Sequence, residues 1–200
     1  MKKEKEKIVA TASALFCHSG IRSITVEDIM KNCSMSKRTF YEYFNSKDQL
    51  VDFIIEQWTA KSARYLSLNR YVSVNAISEM SNFFRITENI LRRIKPIFFH
   101  ELRKYYAGSW KKLDQFRDDA LIPFLVQNID RGHKEEIYRS NIDRGLIGEI
   151  HFTCLQTILE DIWMPGVNPE RVYREMNMIF LHGLVNIKGM KLMDERRDDD

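Results

Sequence analysis

Residues 25–47 read Thr-Val-Glu-Asp-Ile-Met-Lys-Asn-Cys-Ser-Met-Ser-Lys-Arg-Thr-Phe-Tyr-Glu-Tyr-Phe-Asn-Ser-Lys. This stretch contains two helix starts. Thr25 with Asp28 forms a pair typical of a capping box, and the hydroxyl of Ser36 can accept a hydrogen bond from a free N–H group of the next turn. Only residues 33–35 separate the two helices. The stretch therefore predicts a helix-turn-helix.

A helix is predicted before this stretch. Ile8, Ala12, Leu15 and Phe16 follow the i, i+4, i+7, i+8 spacing of one helical face, and Gly20 can end the helix. A fourth helix is predicted after it. Residues 45–46 end the third helix, and the Ser46 hydroxyl can begin the next one, which should extend to about residue 66.

The remaining sequence predicts more helices. Eight Gly and four Pro in 200 residues leave little room for the turns of a β-sandwich or barrel. We expect an all-α protein of about nine helices, with an N-terminal helix-turn-helix domain at 1–47 and a larger helical domain at 48–200. The later helices are expected at 74–94, 96–108, 109–131, 143–163 and 169–193, with a kink or break at Pro123 and a break at 165–169.

Charge is unevenly distributed along the chain. Residues 1–47 carry nine Lys and Arg against five Asp and Glu, whereas the rest of the chain is close to neutral. A positive N-terminal end favours a polyanionic partner such as double-stranded DNA. The alternative is that this small excess lies on ordinary solvated faces.

Several other classes of protein are disfavoured. The three cysteines have no paired spacing, no signal-peptide pattern begins the chain, and no apolar run approaches a membrane span, so we expect a cytoplasmic protein without membrane contact. No phosphate loop, nucleophile elbow or zinc-spaced cluster is present, so we expect neither an enzyme nor a cofactor or metal. His151 and Cys154 share a helix face, but two ligands do not make a zinc site.

The second helix of the motif has the side chains of a DNA-reading element. Phe40 and Phe44 should face the core, which leaves the cations and tyrosines outside. Lys and Arg suit guanine, and tyrosine hydroxyls suit phosphates. The predicted DNA contacts are Thr25, Ser36, Lys37, Arg38, Thr39, Tyr41, Tyr43 and Lys47. The alternative is an ordinary amphipathic helix, in which Tyr43 fills a crevice near the core.

Residues 8–55 resemble the DNA-binding domain of the TetR family of transcriptional regulators. The matching features are Ala14-Leu15-Phe16 with Gly20, Ile24-Thr25-Val26 with Ile29, Ser36-Lys37 leading to Phe40-Tyr41-Glu42-Tyr43-Phe44, and Ser46-Lys47 with Leu50. The resemblance implies a homodimer that binds a near-palindromic operator and leaves it when a small molecule enters the larger domain. It also implies that Thr25, Tyr41, Tyr43 and Lys47 contact phosphates, and that Lys37, Arg38 and Thr39 face bases.

The motif departs from the family pattern at two positions. Ser34 stands where the turn usually has glycine, so Ser34 must adopt a left-handed conformation or the turn must shift. Glu42 places a carboxylate on the groove-facing side, where it repels phosphate but can accept a hydrogen bond from cytosine N4.

The larger domain is expected to hold an effector pocket and a dimer interface, although aromatic residues at helical spacing are more often core. The expected pocket residues are Phe84, Phe98, His100, Tyr105, Trp110, Phe124, His151 and Cys154. The expected interface residues are Ile147, Ile150, Ile158, Met176, Ile179, Phe180, Gly183 and Ile187. The leading hypothesis is a repressor released from its operator by a small hydrophobic effector. The alternative is a DNA-binding regulator controlled by a protein partner or by no ligand.

Overall fold

A computed structural model describes residues 2–159 and 168–197, which are almost entirely helical. The helices are α1 (Lys2–Ser19), α2 (Val26–Cys33), α3 (Lys37–Tyr41), α4 (Lys47–Val72), α5 (Ala76–Leu91), α6 (Pro96–Tyr105), α7 (Ala107–Phe116), α8 (Ile122–Lys134), α9 (Arg144–Leu159), α10 (Pro169–Leu184) and α11 (Ile187–Arg197). Within these residues, β-structure is limited to an isolated bridge between Tyr138 and Val185. The all-α prediction, with its N-terminal helix-turn-helix, is confirmed.

The helix expected at 109–131 is interrupted before Pro123, the residue at which a kink or break was predicted. A π-helical turn, Arg117–Leu121, lies between α7 and α8, directly before the proline. Proline lacks an N–H donor, and its ring crowds the carbonyl four residues earlier, so an ordinary α-turn cannot continue through it. The wider π-turn provides the space, and it divides the single helix that was expected at 109–131.

The helix expected at 169–193 is also divided. Val185 is extended, because the segment around it hydrogen-bonds to a neighbouring turn instead of continuing the helix. Arg139 N–H donates to Leu184 O at 2.9 Å, and Asn186 N–H donates to Ile137 O at 3.0 Å. The end expected for α9 near residue 163 and the break at 165–167 lie outside the described residues. None of the described helices is long and apolar enough to cross a membrane.

The chain packs as two compact units. The first comprises Met1–Ser62 and Arg92–Gln115, and the second comprises Ala63–Leu91 and Phe116–Asp200. Packing thus groups the start of α4 with the helix-turn-helix. The predicted division between residues 47 and 48 concerns function and stays a prediction. In the first unit, the largest fully buried side chains are Ile8, Phe16, Ile21, Ile29, Met30, Phe40, Leu50, Ile54, Ile55 and Phe98.

Two apolar clusters form the core of the second unit. The larger contains Met80, Phe84, Phe124, Leu125 and Leu181 among others, and the smaller consists of Leu155, Ile158 and Tyr173 with partly buried neighbours. These two clusters are named the large cluster and the small cluster below.

A buried ion pair joins α5 and α8 in the second unit. Glu79, 2% exposed, accepts hydrogen bonds from Arg131 at 3.0 Å and from Asn128 at 3.2 Å. The Tyr138 hydroxyl donates to Asn128 at 3.1 Å, and Glu135 holds the other side of Arg131 at 2.7 Å. A buried carboxylate needs such partners, because an unpaired charge in the interior is strongly destabilising.

Candidate nucleic-acid interface

The capping box predicted at the start of α2 is confirmed. Asp28 N–H donates to Thr25 Oγ1 at 3.1 Å, while the Asp28 carboxylate accepts from Thr25 N–H at 2.9 Å and from its hydroxyl at 2.6 Å. Hydrogen bonds from the side chain and backbone of Thr25 lower the pKa of Asp28. A phosphate approaching Thr25 would therefore meet a carboxylate already bound there.

Ser34 adopts the left-handed conformation, with φ 53° and ψ 44°, so the first of the two expected alternatives for the turn holds. Its N–H donates to Lys31 O at 3.1 Å, and Met35 N–H donates to Met30 O at 3.0 Å. These bonds satisfy the last carbonyls of α2 in the way that a glycine would. The turn therefore keeps its shape at the conformational cost of a non-glycine residue.

The predicted N-cap of α3 is also confirmed. Ser36 Oγ accepts from Thr39 N–H at 3.2 Å, and its hydroxyl lies 2.9 Å from that of Thr39. Phe40 and Phe44 are buried, as predicted, with ring centroids 5.8 Å apart. They fix which face of α3 is turned inward.

Helix α3 ends at Tyr41, three residues before the predicted end. Tyr43 N–H and Phe44 N–H both donate to Phe40 O, at 3.0 and 2.9 Å, and this tightens the last turn. Phe44 turns into the core, where its ring lies 5.6 Å from that of Phe53. Burial of Phe44 thus takes precedence over extension of the helix.

Five of the eight predicted DNA contacts are exposed: Thr25, Ser36, Lys37, Arg38 and Tyr41. The Arg38 side chain is 92% exposed, and its Nε atom lies 3.8 Å from the carboxylate of Glu42, the residue after α3. Tyr41 is 50% exposed and packs edge-on against Phe40, with ring centroids 5.3 Å apart. The buried Phe40 therefore orients Tyr41 without covering its hydroxyl.

Lys37 is already paired within the protein. Its ammonium forms an ion pair with Glu27 of α2, and the hydrogen bond to that carboxylate raises the pKa of Lys37. Both side chains are more than half exposed, so the pair is open to solvent and exchange with another anion is sterically possible.

Tyr43 is also paired, with Glu4 of α1. Its hydroxyl donates to the carboxylate at 2.7 Å, and this hydrogen bond raises the pKa of Tyr43 to about 12 and lowers that of Glu4. The side chain is half-buried. This is the crevice-filling position that was the alternative to a phosphate contact.

Lys47 spans the loop before α2. Its ammonium donates to Ile21 O at 3.0 Å and to Ile24 O at 2.9 Å, and partial burial lowers its pKa. Lys47 therefore stabilises the α1–α2 connection directly.

The sequence did not predict that Glu4 binds Tyr43 or that Glu27 binds Lys37. Each carboxylate lies in another helix, and no local spacing links it to its partner.

The predicted pocket residues are divided between the two compact units. Phe84, Phe124 and His151 belong to the second unit, where the Phe83 ring lies 5.2 Å from that of Phe124 and the Phe84 ring 5.4 Å from that of His151. Half-buried Cys154 lies one turn along α9 from His151. The other four belong to the first unit: Phe98 is buried, Trp110 is half-buried, and His100 and Tyr105 are exposed. In the described part of the chain, no group of three or more His, Cys, Asp or Glu residues could hold a metal ion.

The predicted interface residues fall into two sets. Ile150, Ile179 and Ile187 are exposed, at 46%, 70% and 76%, and a Cβ built on Gly183 would meet nothing within 4 Å among the described residues. The other predicted interface residues pack inside the second unit against the large or small cluster: Ile147, Ile158, Met176 and Phe180.

Comparison with known proteins places the helix-turn-helix in one family. Residues 8–53 match the model of the bacterial regulatory proteins of the tetR family. The chain is 37% identical over 214 residues to the HTH-type transcriptional regulator YerO of Bacillus subtilis, covering all of this chain and 65% of YerO. It is 50% identical over 162 residues to YuxN of the same organism, covering 76% of this chain and 55% of YuxN. The chain thus spans less than two thirds of the length of these two relatives.

Solved structures of low sequence identity share the fold. A TetR-family transcriptional regulator from Agrobacterium tumefaciens superimposes with a TM-score of 0.77 at 12% identity, covering 92% of this chain and 99% of that one. Reduced NemR of E. coli gives a TM-score of 0.76 at 13% identity, covering 92% and 97%. The family match of residues 8–53 and the observed helix-turn-helix therefore identify a DNA-binding domain of the TetR family in this chain, and the described helices have the fold of TetR-family regulators.

Proposed function

We propose that the protein is a homodimeric repressor that binds a near-palindromic operator through α3 and is released by a small hydrophobic effector. The observation that carries the DNA-binding part is the exposure of Arg38 and Tyr41 beside the buried Phe40. An arginine held on a rigid, buried anchor is suited to guanine, and an exposed tyrosine hydroxyl to phosphate.

Other predicted contacts would reach the DNA by giving up the carboxylates that they bind within the protein. Lys37 leaves Glu27 for a base edge, and Tyr43 leaves Glu4 for a phosphate, since each of these pairs involves a carboxylate that DNA phosphate can replace. Thr25 and Ser36 contribute hydroxyls and helix N–H groups, and Thr39 and Lys47 flank them.

A dimer is supported by the apolar exposure of α9, α10 and α11. Ile150, Ile179 and Ile187 present large side chains to solvent, while the open surroundings of Gly183 allow close approach of a second helix. Self-association of this surface would cover the exposed side chains, and it would supply the two recognition helices that a palindrome requires.

Effector control is supported by the mixture of aromatic and polar side chains in the interior of the second unit. An effector that binds more tightly to a state with wrongly spaced recognition helices would shift the population toward that state. Control by a protein partner, or by no ligand, is the alternative.

Activation of transcription is a second candidate function, because one relative is an activator. That relative is the dhaKLM operon transcriptional activator DhaS of Lactococcus lactis, which is 27% identical over 72% of this chain and 90% of its own length. DNA binding by either kind of regulator is expected to take place in the cytoplasm.

Binding to a labelled duplex from the region upstream of the protein's own gene tests the proposal. Fluorescence anisotropy should show salt-sensitive binding that exceeds binding to a scrambled duplex by at least about a thousandfold. Arg38→Ala should relax discrimination at one base position of each half-site by about 1–3 kcal/mol, whereas Arg64→Ala, which removes an exposed arginine of the second unit, should not. Equal binding to both duplexes would contradict the proposal.

A further inference from the structure

Three polar side chains of the second unit are buried without hydrogen-bond partners among the described residues. They are His151, with both ring nitrogens, Tyr173, with its hydroxyl, and Asn177, with its Oδ1 atom. Their exposed fractions are 1%, 0% and 5%. Burial raises the pKa of Tyr173, and the nearby side chains of Thr87 and Asn177 partly oppose that rise. Neither of these side chains makes a hydrogen bond of good geometry with the Tyr173 hydroxyl.

These side chains lie around one aromatic surface. The ring of Phe84 lies 5.4 Å from that of His151, at an interplanar angle of 28°, and it meets the ring of Tyr173 edge-on at 6.5 Å. Asn177 follows Tyr173 by one turn of α10, and Phe180, another turn along, lies 4.5 Å from His151. The unpaired groups thus lie on α9 and α10, and α5 supplies the Phe84 ring that contacts two of them.

The group lies where the core of the unit changes from one cluster to the other. Phe84 belongs to the large cluster and Tyr173 to the small cluster, while His151 precedes Leu155 of the small cluster by one turn of α9. An apolar side chain at position 151 or 177 would join the two clusters without unpaired polar atoms. Buried polar groups without partners destabilise a fold, so their presence here indicates a role other than stability.

Among the described residues, the members of this group carry no unpaired charge near pH 7. Burial lowers the pKa of His151 to about 4, so its imidazole is neutral near pH 7 and offers one donor and one acceptor. The nearby carboxylate, Glu88, forms an ion pair with Arg174 at 2.8 Å. An anionic ligand would find no unpaired cation among these groups, and a cationic ligand would find no unpaired carboxylate.

We infer that His151, Tyr173 and Asn177 form the recognition site for a neutral, planar aromatic molecule that carries both a hydroxyl and a carbonyl group. The rings of Phe84 and Phe180 contact the flat face, and the three polar side chains supply the donors and acceptors that complement the ligand's own. This inference rests on the proposed effector control and names the chemistry of the effector.

Calorimetric titration of the full-length protein with 4-hydroxyacetophenone tests the inference. We expect saturable binding that weakens at least about tenfold, or about 1.4 kcal/mol, for each probe that lacks one polar group. These probes are 4-methylacetophenone, which lacks the hydroxyl, and 4-ethylphenol, which lacks the carbonyl. The anion 4-acetylbenzoate should bind more weakly than 4-hydroxyacetophenone.

Variants of the protein locate the site. His151→Phe and Asn177→Leu should each weaken binding of 4-hydroxyacetophenone at least about tenfold, while His100→Phe, at an exposed position of the first unit, should leave it unchanged. Thermal unfolding checks that the variants fold. His151→Phe should be at least as stable as the parent, because it removes an unsatisfied polar group.

Three outcomes would overturn the inference: no binding of 4-hydroxyacetophenone at millimolar concentration, equal binding of the probes that lack a polar group, or full binding by folded His151→Phe. Operator binding is measured separately, without the probe. If the operator is bound and the probe is not, the site is wrong and the DNA-binding proposal stands. If the probe binds through His151 but does not release the operator, the site stands and effector control is wrong.

Discussion

The hydroxyl of Tyr43 donates a 2.7 Å hydrogen bond to the carboxylate of Glu4, which lies 39 residues earlier in the chain. This bond fastens the beginning of α1 to the turn that follows the recognition helix. It also places a negative charge beside a tyrosine that is proposed to contact a DNA phosphate. If Tyr43 contacts a phosphate as proposed, operator binding must break this hydrogen bond.

Glu4→Gln should strengthen operator binding. The substitution removes a carboxylate that repels phosphate and weakens the bond that restrains Tyr43, so we expect roughly threefold tighter binding in fluorescence anisotropy at low salt. Glu6→Gln is the matched control, because it makes the same charge change at an exposed position of the same helix. If both variants gain equally, only net charge matters and Tyr43 has no special role.

Lys47→Met should destabilise the helix-turn-helix even without DNA. It removes the donor that serves the carbonyls of Ile21 and Ile24, and we expect a loss of about 1–2 kcal/mol in the free energy of unfolding, measured with urea. Lys61→Met, at an exposed position of α4, should change stability by less than about 0.5 kcal/mol. Equal stability of the two variants would show that the loop does not need Lys47.

Stability should decrease as the pH falls from about 6.5 toward 4, in part because of His151. The folded protein protonates this imidazole only near pH 4, whereas an unfolded chain does so near pH 6.5, so acid favours the unfolded state. The contribution is about 2 kcal/mol near pH 5. His151→Phe should therefore lose less stability between pH 7 and pH 5 than His100→Phe, as judged by urea midpoints. Identical losses would mean that His151 titrates normally.

Ile179→Lys should weaken self-association. The side chain is 70% exposed, so a charge there should leave the fold intact but be buried in the proposed dimer, where it would raise the dissociation constant at least about tenfold in sedimentation experiments. Ile90→Lys on α5 is the control, since Ile90 is 42% exposed and outside the proposed interface. A dimer unaffected by Ile179→Lys would place the interface elsewhere.

Local chemistry made part of the structure predictable. The capping pair of Thr25 and Asp28, the cap at Ser36 and the interruption of the helix before Pro123 all depend on residues within one or two helical turns, and the structure shows all three. For Ser34 the sequence reduced the possibilities to two, and the left-handed one is observed.

Interactions between helices were not predictable in the same way. Nothing in a helical period shows that Tyr43 meets Glu4 or that Lys37 meets Glu27, because the partners are brought together only by packing. The predicted pocket takes its residues from both compact units for the same reason, and it stays a prediction. Aromatic residues at similar spacing on α5, α6 and α7 were assigned to one site, whereas the helices that carry them belong to different compact units.

The five-residue length of α3 limits how much sequence one protomer can distinguish in a genome. At a rise of 1.5 Å per residue the helix spans about 7.5 Å, which corresponds to about two base pairs of DNA. At about 2 kcal/mol for each correct base pair, one helix discriminates by about 4 kcal/mol. Selecting one site among roughly a million competitors requires about 8 kcal/mol. One copy of α3 is thus too short to find its site alone, and two copies reading matched half-sites reach the required discrimination.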